Sequence, residues 1–263
     1  MLLQPPAESP WDLNFRFLGF DVRIAWTFWL GAGFLGYGWV QGVHKGLANM
    51  GQGTSVGILL IAWISCVFVS ILIHELGHAL AFRKVGIHSK IVLYHFGGMA
   101  IPVDSFQSSM SASRMTEKQD LFVTAAGPFA QLLSAALVIA AVRLSGYSVN
   151  LPLGLSEIQG IKGGVPISNL KLSILIDMYL WPSIFWAVLN LIPVWPLDGG
   201  RIARSLFRMN GGTVVQSLWL SVIAAAACAL WGFKSDQLFL GLFFLMFAFE
   251  NYQSIQQYGN YRF

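Results

Sequence analysis

The chain has 263 residues, 56% of them hydrophobic and only 11% charged, with a formal net charge of +4, and its mean hydropathy is +0.62. These values exclude an ordinary soluble domain and indicate a polytopic membrane protein. The Lys and Arg residues are spread over many loops without a dense run, which argues against a nucleic-acid partner and leaves them as topology signals.

Residues 1–23 carry Pro5, Pro6, Glu8, Pro10, Asp12 and Arg16. They read as a cytoplasmic segment with no cleaved signal peptide. A bilayer core needs about 20 mostly apolar residues per helix, and six segments approach that length: 24–43, 56–82, 121–142, 172–192, 214–233 and 238–252. Asp177 and Pro182 interrupt the fourth, and the sixth ends at Glu250 and Asn251. The glycine-rich stretch 31–38 suits close helix packing. The expected fold is therefore an all-α polytopic membrane protein of about six transmembrane helices. It is read as a single domain with its membrane core at 24–254 and a tail at 255–263.

Between the second and third spans, residues 91–106 read IVLYHFGGMAIPVDSF. That stretch is too short for a span but suits a small membrane-associated β-hairpin, with Gly97 and Gly98 as the turn. The Ser-rich stretch 107–118 reads as a mobile cytoplasmic segment. Cys66 and Cys228 lie in separate apolar segments without metal or disulfide spacing and read as packing residues.

With the amino terminus inside, eleven of the 16 Lys and Arg residues are cytoplasmic and five, Lys45, Arg143, Lys162, Lys171 and Lys234, are outside. This asymmetry predicts both termini in the cytoplasm. The second span then runs inward, and His74 precedes Arg83 by about 14 Å of helix, nearer the cytoplasmic face.

Within that span lies His74-Glu75-Leu76-Gly77-His78. Residues four apart on a helix are rotated by about 40°, so both imidazoles project from one face and can grip one metal ion while Glu75 flanks them. The pattern predicts zinc, an activated water and Glu75 as general base. Ionisable groups at such depth are functional by default, with a partner from another helix. A catalytic zinc commonly takes a third protein ligand, and the best candidate is Asp198 in the segment NLIPVWPLDGGR, 190–201. Pro193 and Pro196 break regular helix there, and such backbone is tolerated at depth only where it is enclosed or lines a wet cavity. Capping a helix, or pairing with Arg201 or Arg204, is the alternative role for Asp198.

HELGH in an apolar helix followed by NLIPVWPLDGGR resembles the site-2 protease family of intramembrane zinc metalloproteases, over roughly 74–208. The resemblance implies His74, His78 and Asp198 as zinc ligands and Glu75 as catalytic acid/base. It further implies a membrane-spanning protein or peptide substrate, cleaved to release tethered regulators or to clear signal-peptide remnants. Ala126-Gly127-Pro128 and Phe96-Gly97-Gly98 resemble a family packing motif and the family's hairpin. Two positions depart: Trp195 stands where many members have proline, and Gln131 where asparagine commonly follows the Gly-Pro pair. Asn190 is read as a helper whose amide holds the oxyanion or the substrate backbone. An edge of the hairpin could receive an unwound substrate as an added strand.

His95 reads as a loop histidine, and Glu157, Asp177 and Glu250 as interfacial groups. No PDZ or CBS module lies within these residues, so regulation is expected, if at all, from a partner in trans. The rival reading is a metal-containing scaffold without turnover. A metal transporter is disfavoured because no chain of carboxylates or histidines continues across the bilayer.

Overall fold

The computed structural model describes residues 6–103, 115–157 and 163–260. The Ser-rich segment expected at 107–118 lies largely outside these residues. The chain forms two compact units, one from 1–112 with 129–187 and the other from 113–128 with 188–263.

The first unit begins with a feature the sequence reading missed. Leu13-Asn14-Phe15-Arg16-Phe17 and Phe20-Asp21-Val22-Arg23-Ile24 alternate apolar and polar residues, the signature of a half-buried strand pair. They form antiparallel strands β1 (Leu13–Phe17) and β2 (Phe20–Ile24). Leu18 (φ 49°) and Gly19 (φ 83°) make the two-residue turn between them, and positive φ at both positions matches the twist of a hairpin. Residues read as a plain amino-terminal segment are thus half of a sheet.

Helices α1 (Trp26–Asn49) and α2 (Val56–Lys84) follow. Ser55 caps α2 by accepting the Ile58 N–H at 3.3 Å, and Arg83 and Lys84 occupy its last turn, where the helix dipole favours cations. The two helices carry the chain across to β3 (Ser89–Tyr94), which pairs parallel with β2, and β4 (Gly97–Pro102) returns antiparallel, giving the order β1-β2-β3-β4. Val22, Ile24, Ile91 and Leu93 share a buried core with Leu76 and Ala79 of α2. Trp63 Nε1 donates to the Ala32 carbonyl at 3.1 Å, and its ring occupies the space a side chain at Gly36 would need. Gly31, against the His95 backbone, and Gly36 are there for close approach.

Helices α3 (Glu117–Leu144) and α4 (Leu170–Asn190) contribute most of their length to this first unit. Tyr179 donates to Ser134 Oγ at 2.8 Å, joining them. Pro182 lies inside α4 without ending it.

The second unit holds the first turns of α3 and the helices α5 (Asp198–Met209), α6 (Val214–Lys234) and α7 (Leu238–Asn260). Thr213 and Gln216 form a capping box that starts α6. Gly232 and Gly241 let α6 and α7 close at backbone distance, since a methyl on Gly232 would lie 2.7 Å from the Gly241 nitrogen.

Five of these helices, α2, α3, α4, α6 and α7, are long and apolar enough to cross a membrane. The first expected span, 24–43, lies in α1, which is long enough at 24 residues but is diluted by six glycines together with Gln41, His44 and Lys45, and is not among the five. The fold is mostly helical with a small four-stranded sheet, in place of the expected all-α bundle with one hairpin.

Ala25, ahead of α1, has no side chain able to cap it. Asp12 takes over that task from the start of β1, accepting the Trp26 N–H at 3.1 Å, the Ser9 N–H at 3.1 Å and Arg23 Nε at 2.7 Å. Enclosure alone would raise the Asp12 pKa, but these donors outweigh it and hold the carboxyl below its ordinary 3.8. A depressed carboxylate stabilises the fold above its unfolded pKa, and that contribution fades as pH falls through the folded value. Asp12→Asn is therefore expected to lower the thermal midpoint in detergent near neutral pH. The gap to wild type should close as pH drops below 3.8. A gap that widens in acid would contradict this role.

Candidate metal centre

The histidine motif sits two-thirds of the way along α2, and none of His74, Glu75 and His78 is more than 6% exposed. Helical spacing places the two rings 4.8 Å apart at 75°, with their Nε2 atoms facing each other at 3.1 Å. Two nitrogens held at 2.0–2.1 Å by a tetrahedral zinc stand about 3.3 Å apart. The pair thus matches one edge of that coordination shell. On its far side, His74 Nδ1 meets Gln131 Oε1 of α3 at 2.9 Å.

Glu75 lies against the sheet. Gly98 of β4 abuts it so closely that a methyl there would stand 2.6 Å from Glu75 Oε1. This corrects the expected hairpin turn. Tyr94 pairs with Gly97, so His95 and Phe96 make the turn, while Gly97 (φ 124°) and Gly98 open β4. The glycines are needed because Trp186 crowds Gly97 and Glu75 crowds Gly98. Tyr94 is buried at the end of β3; burial first, and then the negative charge of Glu75, push its phenol up to about 12. It therefore keeps its proton near neutrality. His95 Nδ1 faces Thr27 Oγ1 at 3.2 Å, in keeping with a loop role.

In the second unit, Asp198 opens α5 and is 8% exposed. The Trp195–Pro196 peptide bond is cis. Gly199 presses against the Leu191 and Ile192 carbonyls and Gly200 against the backbone of Val194 and Trp195, so no side chain fits at either position and the chain must turn tightly just ahead of Asp198. Trp195 explains its own departure from the family pattern. Its N–H donates to Ser221 Oγ at 3.0 Å, which a proline could not do, and its carbonyl accepts Asn251 Nδ2 at 2.7 Å. Arg204 stacks 3.7 Å over its ring. Arg201 is engaged by Asp120 at 3.1 Å, and Ser205 donates to the same carboxylate at 2.7 Å. Asp120, Ser221 and Asn251 are not marked as site residues by the sequence, because single polar residues within apolar helices carry no distinctive spacing. Asn190 is the last residue of α4.

The family model for peptidase family M50 matches residues 62–230. The chain belongs to peptidase family M50. It is 31% identical over 190 residues to a provisionally named zinc metalloprotease of Synechocystis sp., covering 71% of this chain and 41% of that protein. It is also 26% identical over 199 residues to the zinc metalloprotease MJ0392 of Methanocaldococcus jannaschii, covering 75% and 46%. This M50 chain thus spans less than half the length of these curated relatives. Among solved structures, the site-2 protease from Methanocaldococcus jannaschii aligns with a TM-score of 0.49 and 23% identity over 93% of this chain and 95% of that one. As an M50 member with five helices apolar enough to span, it is a membrane protein.

Proposed function

We propose that the chain is a zinc-dependent intramembrane endopeptidase. The observation that carries this reading is the buried pair of facing Nε2 atoms, 3.1 Å apart, beside a buried carboxylate on a helix apolar enough to cross a membrane. His74 and His78 supply two ligands and Asp198 the third, and residues 24–254 are the transmembrane core of a single integral-membrane domain.

Zinc, when bound, supplies Lewis acidity and lowers the pKa of a water it holds towards neutrality. Glu75 would take a proton from the attacking water and pass it to the leaving amide nitrogen. The Asn190 amide donates to the developing oxyanion. A helical substrate hides its scissile bonds in internal hydrogen bonds, so it must unwind first. The outer edge of β4 has no strand partner among the described residues and receives the unwound segment as an added strand.

The substrates are membrane-spanning proteins or peptides, such as tethered regulators or signal-peptide remnants, in a prokaryotic cytoplasmic membrane. The termini and the site's nearer face are cytoplasmic by the positive-inside asymmetry.

The test is purification in detergent, metal analysis and incubation with membrane-spanning peptides. Wild type is expected to carry one zinc and to cleave in a chelator-sensitive manner, while Asp198→Ala loses both properties. Zinc-loaded wild type that binds such peptides and leaves them all intact would support a scaffold instead. An Asp198→Ala variant with undiminished zinc would remove that residue from the ligand set.

A further inference from the structure

A buried polar string runs behind His74. His74 Nδ1 meets Gln131 Oε1 at 2.9 Å, Gln131 Nε2 donates to Ser70 Oγ at 2.8 Å, and Ser70 and Ser183 share a hydroxyl contact at 2.9 Å. The string ends on a backbone group, for Ser183 Oγ donates to the Tyr179 carbonyl at 2.7 Å. Ser70, Gln131 and Ser183 are all fully buried, so water cannot stand in for a missing partner.

The placement of the Gln131 amide, Oε1 towards His74 and Nε2 towards Ser70, gives the string its direction. A hydroxyl has one proton; Ser70, accepting from Gln131 Nε2, gives its own to Ser183, whose proton goes to the Tyr179 carbonyl. An amide oxygen facing Nδ1 requires the proton on Nδ1, and in a neutral imidazole this leaves Nε2 as a bare lone pair. Reversing the string would put a Gln131 N–H against His74 and move the ring proton to Nε2, where no metal could bind.

We infer that Gln131 is a positioning residue that holds His74 in its Nδ1–H form, with the Nε2 lone pair aimed towards His78. The inference rests on the metal-site reading above and assigns a task to the position where Gln131 departs from the family pattern. The interior cost of an unpaired amide or hydroxyl holds the arrangement in place, because turning the Gln131 amide alone would set an N–H against the His74 Nδ1 proton and an oxygen against the Ser70 lone pairs.

A residue that merely joins helices would affect stability alone, so the test reads the tautomer and the metal. The full chain is labelled with 15N-histidine in detergent, stripped of metal for spectra, and titrated with zinc against a competing chelator. His74→Ala identifies the His74 resonances and serves as the control for the metal site. In wild type, His74 is expected to show a protonated Nδ1 and an unprotonated Nε2. Gln131→Met should shift His74 towards a mixture of tautomers and weaken zinc binding by roughly 10–100-fold, the range for lost supporting partners of a ligand. Gln131→Glu keeps an oxygen facing Nδ1 and should retain zinc within a few-fold.

Should Gln131→Met fail to fold, Ser70→Ala removes only the group that orients the amide and is expected to change both readouts in the same direction by less. A wild-type His74 protonated on Nε2 would overturn the inference whether or not zinc binds. Wild-type zinc affinity in both Gln131→Met and Ser70→Ala, alongside its loss in His74→Ala, would overturn it while leaving the metal site intact. Undiminished zinc binding by His74→Ala would instead count against the metal-site reading itself.

Discussion

Glu75→Gln is expected to lower peptide-bond cleavage by about 10²–10⁴-fold, the usual contribution of a positioned acid or base, while zinc content stays at the wild-type level. The two side chains are nearly the same size, so the buried space between α2 and Gly98 of β4 remains filled. What changes is proton affinity: an amide oxygen cannot take a proton from water near neutrality, and an amide nitrogen does not return one to a leaving group. The proposed ligands are untouched, so metal loss and loss of the base are separable. Single-turnover cleavage of a membrane-spanning peptide, with zinc measured on the same sample, decides the matter. Cleavage by the variant within threefold of wild type would remove Glu75 from the reaction.

Gly98→Ala is expected to cost roughly 10²-fold in cleavage, again with zinc retained, for a purely geometric reason. The added methyl would lie 2.6 Å from Glu75 Oε1 and 2.7 Å from its carboxyl carbon, too near for either to stay in place. Either β4 moves outward or the carboxylate rotates away, and a displacement of about 1 Å in a reacting group is enough for a loss of this size. Overpacking should also lower stability by about 1–3 kcal/mol. Gly38→Ala is the matched control, since nothing lies within 4 Å of a methyl at that position; its activity should stay at wild type. Equal activity in the two alanine variants would show that the approach of Gly98 does not shape the Glu75 environment.

Much of this was legible in the chain because it depends on local periodicity. Helical spacing made the His74 and His78 rings neighbours. The apolar runs around 56–82, 121–142, 172–192, 214–233 and 238–252 correspond to the five helices able to span. Expectation and structure differ where one signal masked another. Length and aromatic content make α1 read as a span, and its glycines and polar residues leave it outside the five helices apolar enough to cross a membrane. The alternation at 13–24 is a strand signal, hidden behind a proline-rich start that reads as a plain cytoplasmic segment. Gly97 and Gly98 read as a turn because paired glycines usually are one; crowding by Trp186 and Glu75 gives them another purpose.

The candidate site divides along the same line. Sequence alone determined the donor types and their spacing, since 3.6 residues per turn is a property of any helix and HELGH needs nothing further to place two imidazoles on one face. Only tertiary structure decided which His74 nitrogen carries the proton and what Glu75 rests against. The first depends on a string of bonds reaching Ser183, 113 residues beyond Ser70, and the second on a strand that folds back onto α2. Neither partner has a fixed spacing from the motif, so no pattern in the chain announces it; the atoms become neighbours only when helices and sheet pack.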